Sequence, residues 1–142
     1  MKSIAPPPPF HLAIPVHSLS LARHFYKDQL GCSEGRSTNT WVDFNFFGHQ
    51  LVCHLSSTTT DQVSNTVDGM NVPIPHFGVV INESLWQSLI KQLDQAGVDY
   101  KQPPSERFQG KPGQQKTLFI QDPSGNTLEF KCLANAEELF QQ

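Results

Sequence analysis

The sequence predicts an α+β fold built from two tandem βαβββ units, and three observations predict it. An apolar run led by a histidine occurs twice, as His11 to Val16 (HLAIPV) and as His76 to Ile81 (HFGVVI). Each run precedes an amphipathic segment that stops at a glycine, Gly31 in one case and Gly97 in the other. Each of these helix-like segments is then followed by three strand-like ones. An α+β sandwich without internal duplication is the competing reading. At 142 residues the chain is ordinarily one domain, long enough to close a hydrophobic core.

Residues 1–9 form a proline-rich extension in which Pro6, Pro7, Pro8 and Pro9 fix an extended polyproline conformation. The first unit spans residues 10–55. Its leading strand, FHLAIPV, carries one polar residue, His11. Ser18 or Ser20 caps the following helix, whose apolar face is Leu21, Ala22, Phe25, Tyr26 and Leu30. Strands are expected at Cys32 to Ser37, Trp41 to Phe47 and His49 to Leu55, with Gly48 as the tight turn between the last two. Residues 56–72 are polar, with three threonines at Thr58 to Thr60, and read as a surface linker. The second unit spans residues 73–134. Its helix presents Leu85, Trp86, Leu89, Leu93 and Ala96 on one face. Its later strands are Val98 to Lys101, Lys116 to Gln121 and Thr127 to Leu133. Between the last two, Asp122-Pro123-Ser124-Gly125-Asn126 is a turn: proline presets one dihedral and glycine permits a positive one. Pro103 to Gly113, poor in apolar residues, reads as an inert connection or a cover over a cleft. Residues 135–142 are a tail.

Composition excludes several functions. A net charge of −3 without a basic run leaves no positive face for a phosphate backbone, so nucleic acid is not expected as a partner. No apolar stretch approaches the roughly 18–20 residues that span a bilayer. The proline run stands where a signal peptide needs an unbroken apolar core, so a cytoplasmic location is expected. Cys32, Cys53 and Cys132 share no CxxC spacing and read as reduced, buried small hydrophobes. Ten phenylalanines suggest aromatic-rich strands or an apolar cleft.

Chemistry is suggested by the polar residues inside apolar strands. His11 and His76 occupy matching places, and Glu129 sits between Leu128 and Phe130. A carboxylate among such neighbours needs a compensating charge or must protonate. One divalent cation satisfies all three if the halves pack about a pseudo-two-fold and bring the leading strands together. Two imidazoles and one carboxylate, with open positions left over, make the facial arrangement of non-haem iron sites. Singly, a strand histidine is more often a hydrogen-bonded core or surface residue than a ligand, and the plain reading of Glu129 is a solvent-facing strand residue; it is the repetition at equivalent places that singles out the set.

With these residues the chain resembles the vicinal oxygen chelate superfamily, which includes glyoxalase I, fosfomycin-resistance enzymes, bleomycin-binding proteins and extradiol ring-cleaving dioxygenases. The resemblance runs from about Phe10 to Leu133 and is most specific at Asp122 to Phe130 (DPSGNTLEF), with Phe25-Tyr26 and Leu30-Gly31 also matching. It implies paired βαβββ modules forming a U-shaped mixed sheet around a metal cleft, helices outside, and a homodimer. It also places the metal ligands at His11, His76 and Glu129. One position departs: a fourth ligand, usually glutamate, is expected in the last strand of the first module, where this chain reads HQLVCHL. Matching Gly48 with Gly125 puts Val52 there; matching apolar patterns instead puts His54 there. Strand alternation sets Gln50, Val52 and His54 on one face. His54 is then a fourth ligand, an acid/base group or a structural histidine.

Gln50 and Arg107 are candidates to orient an anionic or hydroxylated substrate, Arg107 by clamping a carboxylate; a surface arginine is the plain alternative. His17 and His24 flank the first helix and are expected to face water. The expected activity is a metal-dependent reaction on a small vicinal-oxygen substrate. Dioxygenase-like chemistry with iron(II) or manganese(II) is preferred. A glyoxalase-like lyase or isomerase on zinc, nickel or cobalt is the alternative, and a metal-free ligand-binding protein is the alternative of another class.

Overall fold

In this computed structural model, residues 5–58, 63–67 and 69–141 are described. The first strand, β1, is His11–Val16. Ser18 caps helix α1, Leu19–Arg23, by accepting the Leu21 N–H, and the helix continues as a π-helical stretch over His24–Gln29. Gly31 ends it with φ of 85°, a conformation that costs glycine little. Strands β2 (Ser33–Ser37), β3 (Trp41–Phe46) and β4 (His49–Leu55) complete a sheet of order β1-β4-β3-β2. The β1–β4 pair is parallel and the others antiparallel. The helix supplies the crossover that a parallel pair needs, whereas tight turns join the antiparallel ones.

The second half repeats this plan. Strand β7 (His76–Phe77) leads, helix α2 (Glu83–Gln95) starts at an Asn82 cap, and β8 (Tyr100–Arg107), β9 (Gln115–Gln121) and β10 (Thr127–Leu133) follow. The sheet order is β7-β10-β9-β8, with β7 parallel to β10. The tandem α+β architecture is thus as the sequence predicts.

Three segments differ from expectation. The stretch read as a linker contains an antiparallel hairpin of β5 (Val63–Val67) and β6 (Met70–Ile74). Its polar residues obscured the period-two signal; Thr59 and Thr60 lie outside the described residues. Strand β8 runs through Pro103 and Pro104 to Arg107, so about half of the stretch read as a connection or a cover is strand. β8 is the edge of its sheet, where proline's missing N–H is tolerated. The second leading strand is only two residues long, with a single further bridge from Val80 to Lys131.

Register fixes the equivalences between halves. His11 pairs with Gln50 as His76 pairs with Thr127. Val52 is therefore the counterpart of Glu129, and His54 of Lys131. Leu51 and Cys53 of β4, with Leu128, Phe130 and Cys132 of β10, point into one core shared with Phe25, Tyr26, Trp86 and Leu93. Across the seam, the buried Tyr26 hydroxyl donates to Asp122 Oδ2 at 2.8 Å. All three cysteines are buried and free. Alternation then assigns His11, Gln50, Val52 and His54, and likewise Glu129 and Lys131, to the opposite faces of the two sheets.

Candidate functional site

On the second sheet, β7, β10 and β9 bring His76, Glu129, Thr117 and Phe119 together. Glu129 pairs with Phe119, and Lys131 with Thr117. Gly78 makes this possible: a Cβ there would lie 1.5 Å from the Glu129 carbonyl oxygen, so only glycine lets the chain pass β10 so closely. Glu129 is 5% exposed. Its Oε1 lies 3.2 Å from His76 Nε2 and 3.8 Å from Lys131 Nζ. Its Oε2 accepts from the Thr117 hydroxyl and lies 3.9 Å from Arg107 Nη1. Burial by itself would raise the carboxyl pKa, but hydrogen bonds from His76 and Thr117 and the Lys131 charge together hold it below the usual value. His76 is shifted upward: its hydrogen bond to Glu129 dominates over burial, and the Pro73 carbonyl adds to it.

Arg107, expected in a loop or on the surface, is instead 4% exposed at the end of β8. Its guanidinium carbon lies 5.6 Å from the centre of the Phe119 ring, within cation–π range. Nε and Nη2 are buried without a hydrogen-bond partner among the described residues, as is Gln102 Oε1 on the same strand. An unfilled buried donor costs about 1–3 kcal/mol, and more on a charged group.

On the first sheet, His11 Nδ1 lies 2.9 Å from Gln50 Oε1. Gln50 Nε2 in turn donates to Asp43 Oδ2 at 3.3 Å, and Asp43 Oδ1 accepts the Arg36 backbone N–H. A carboxylate only accepts here, which fixes the amide orientation and makes His11 Nδ1 the donor to Gln50. His76 Nδ1 is likewise 2.6 Å from the Pro73 carbonyl oxygen. Both rings thus commit Nδ1 to a carbonyl oxygen, the arrangement that orients histidine for ligation through Nε2. Gln50, expected as a substrate contact, has both ends of its amide engaged by protein.

Sequence reasoning missed Asp43, which is buried at 7% exposure on β3 opposite Val52. The signal was available, since Asp43 stands between Val42 and Phe44 as Glu129 stands between Leu128 and Phe130. His54 is exposed opposite Trp41, at the Lys131-equivalent position. His17 and His24 belong to other contacts. The His17 N–H donates to Ser124 Oγ, and His24 lies 3.4 Å from Asp28.

The His76–Glu129 pair fits a divalent ion. A 3.2 Å separation suits neighbouring donors each about 2.1 Å from one metal. The expected meeting of three side chains is not made within one chain, however. Among the described residues no three His, Cys, Asp or Glu groups form a metal-holding cluster. His11 lies on the edge strand of the first sheet and His76 on the edge strand of the second, and among the described residues no ladder joins them.

A family model described as the Glyoxalase/Bleomycin resistance protein/Dioxygenase superfamily matches residues 9–130. A solved structure titled glyoxalase/bleomycin resistance protein/dioxygenase, from Alicyclobacillus acidocaldarius, is 35% identical with a TM-score of 0.82, over 94% of this chain and 96% of that one. A genomically encoded fosfomycin resistance protein from Listeria monocytogenes is 16% identical with a TM-score of 0.68, covering 99% of each chain. A lactoylglutathione lyase from Agrobacterium tumefaciens is 14% identical with a TM-score of 0.63, over 96% of this chain and 98% of that one. The last two are similar in fold alone. No curated protein matches the chain.

Proposed function

Since the chain belongs to the glyoxalase/bleomycin resistance protein/dioxygenase superfamily, we propose that it is a divalent-metal enzyme acting on a small substrate with vicinal oxygens. The observation that carries this reading is the matched presentation of the two histidines. Each has Nδ1 tied to a carbonyl oxygen and Nε2 turned to ligation, one of them against a buried carboxylate. His76 and Glu129 would hold the ion in one chain, and His11 of a second copy would supply the third donor, making the active species a homodimer. A divalent ion bound there supplies electrophilic stabilisation of charge developing on a substrate oxygen and, as iron(II), redox chemistry with dioxygen. Thr117 fixes the Glu129 carboxylate, and Phe119 walls the site with an apolar ring. Val52 where a fourth carboxylate would stand leaves a three-ligand, open site, which favours dioxygenase-like chemistry with iron or manganese.

The second reading is a lyase or isomerase on zinc, nickel or cobalt, favoured by His54, an exposed base on the site face of its sheet. The cytoplasm is the expected setting; among the described residues no helix is long and apolar enough to cross a membrane.

The test is elemental analysis of protein purified without chelators or added metals, then oxygen uptake by the anaerobic iron-loaded protein with a diol panel. Iron or manganese with uptake supports the first reading. Zinc or nickel, with turnover of a glutathione–oxoaldehyde adduct that is lost in His54→Ala, supports the second. Metal-free protein that binds ligand tightly without turnover overturns both. His11→Ala, His76→Ala and Glu129→Ala should each lower metal affinity sharply, and a triple variant that retains stoichiometric metal removes the ligand assignment.

A further inference from the structure

The group the proposed chemistry leaves unused is Arg107. Its guanidinium is buried on the same sheet face as Glu129 and held over Phe119. Nη1 faces the Glu129 carboxylate, whereas Nε and Nη2 have no partner among the described residues. Those two nitrogens are not an arbitrary pair. They are the side edge of the guanidinium fork, where two parallel N–H bonds match the two oxygens of a carboxylate or phosphonate. The surrounding charges also favour an anion: Arg107 and Lys131 stand beside the single carboxylate of Glu129, before any metal is counted.

We infer that the substrate carries an oxyanion, a carboxylate or phosphonate, which the Nε and Nη2 edge of Arg107 takes bidentately beside the Glu129 site. This rests on the same site as the proposed metal chemistry and deepens it: Arg107 fixes which end of the substrate points away from the metal ligands. Because the fork is closed off from solvent, ligand entry requires neighbouring side chains to part, and the bound anion then fills donors that are otherwise unsatisfied.

Methylphosphonate is the probe, titrated into the full chain in its chelated and its metal-loaded forms. Binding is followed by calorimetry and by the arginine Nε–H resonances in NMR. The expected result is saturable binding by the chelated protein, with a large shift of one Nε–H resonance, absent from Arg107→Lys. Arg107→Lys keeps the charge but loses the fork, and should weaken binding ten-fold or more. Arg107→Met should lose it. If Arg107→Met fails to fold, the lysine variant and the resonance shift still decide. Neutral dimethyl methylphosphonate should leave the resonance in place. Equal affinity in wild type and Arg107→Lys, or an unmoved resonance at saturating anion in both forms, overturns the inference. The outcomes separate the two readings. Anion binding by a protein that takes up no metal removes the metal reading alone, and normal metal binding with an unmoved arginine removes this one alone.

Discussion

His11 and His76 look alike in the sequence, yet each is oriented by a different partner, a side-chain amide in one half and a main-chain carbonyl in the other. The two sites should therefore respond differently to substitution. Gln50→Leu removes the acceptor that orients His11 and should lower metal affinity roughly 10–100-fold, the usual cost of losing such support. Competition with a chromophoric chelator measures it, with circular dichroism showing the fold intact; an affinity within two-fold of wild type would assign Gln50 no positioning role. The chelated protein also has a signed pH dependence. Folding raises the His76 pKa, so its contribution is complete below about pH 6.5 and is lost as pH rises through the raised value. Folding lowers that of Glu129, so its contribution is present above the ordinary carboxylate range and is lost as pH falls. The Tm of the chelated protein should accordingly pass a maximum in mildly acidic buffer and fall on the alkaline side. That alkaline fall should shrink in His76→Gln. Burial pushes the Cys32 thiol up to about 12 and Cys53 higher still. Neither should react with Ellman's reagent at pH 8 until urea unfolds the chain.

Elements differ in how much of their position local sequence settles. Helix α2 announces itself by its apolar face, and its Asn82 cap accepts the Leu85 N–H at 2.9 Å. Asn82→Ala should cost about 1 kcal/mol in urea unfolding. Strand β7 is the opposite case. Its apolar residues predict a six-residue strand, but Gly78 presses its backbone against Glu129, and the regular ladder ends at Phe77 and resumes only in the Val80–Lys131 bridge. Gly78→Ala should destabilise by at least about 1–3 kcal/mol, because the neighbouring atom is backbone and cannot turn aside. Ala13, at the equivalent place in β1, is tolerated where Gly78 is required, so the duplication is exact in topology but not in spacing. Arg107 shows why a Pro-Pro pair misleads: it reads as loop, yet at a sheet edge it continues the strand that carries the buried arginine.

At the scale of the whole molecule the two halves are one body. Residues of both sheets and both helices enter a single core cluster, and Tyr26 donates across the seam to Asp122, which also accepts from Asn126. Tyr26→Phe should lower stability by about 1–2 kcal/mol while leaving one cooperative unfolding transition. Two transitions would mean that the halves fold separately. The same scale decides the site. No third ligand joins the His76–Glu129 pair among the described residues, so under the proposed function His11 comes from a second copy, and sedimentation of the metal-loaded protein should give a dimer. A monomer with full metal content would place the third donor elsewhere.

The sequence by itself determined the duplicated βαβββ order, most strand and helix positions, the buried cysteines, and the two histidines with Glu129 as the residues to watch. These follow from periodicity, caps and turn chemistry, which act over a few residues and are written locally. Only the tertiary structure decided that Glu129 meets His76 with no third ligand among the described residues, that Gln50 and Asp43 stand behind His11, and that Arg107 is buried with an edge those residues leave unfilled. Those relations join residues on different strands, and their distances are set by register and by how two sheets share a core, which no local pattern encodes.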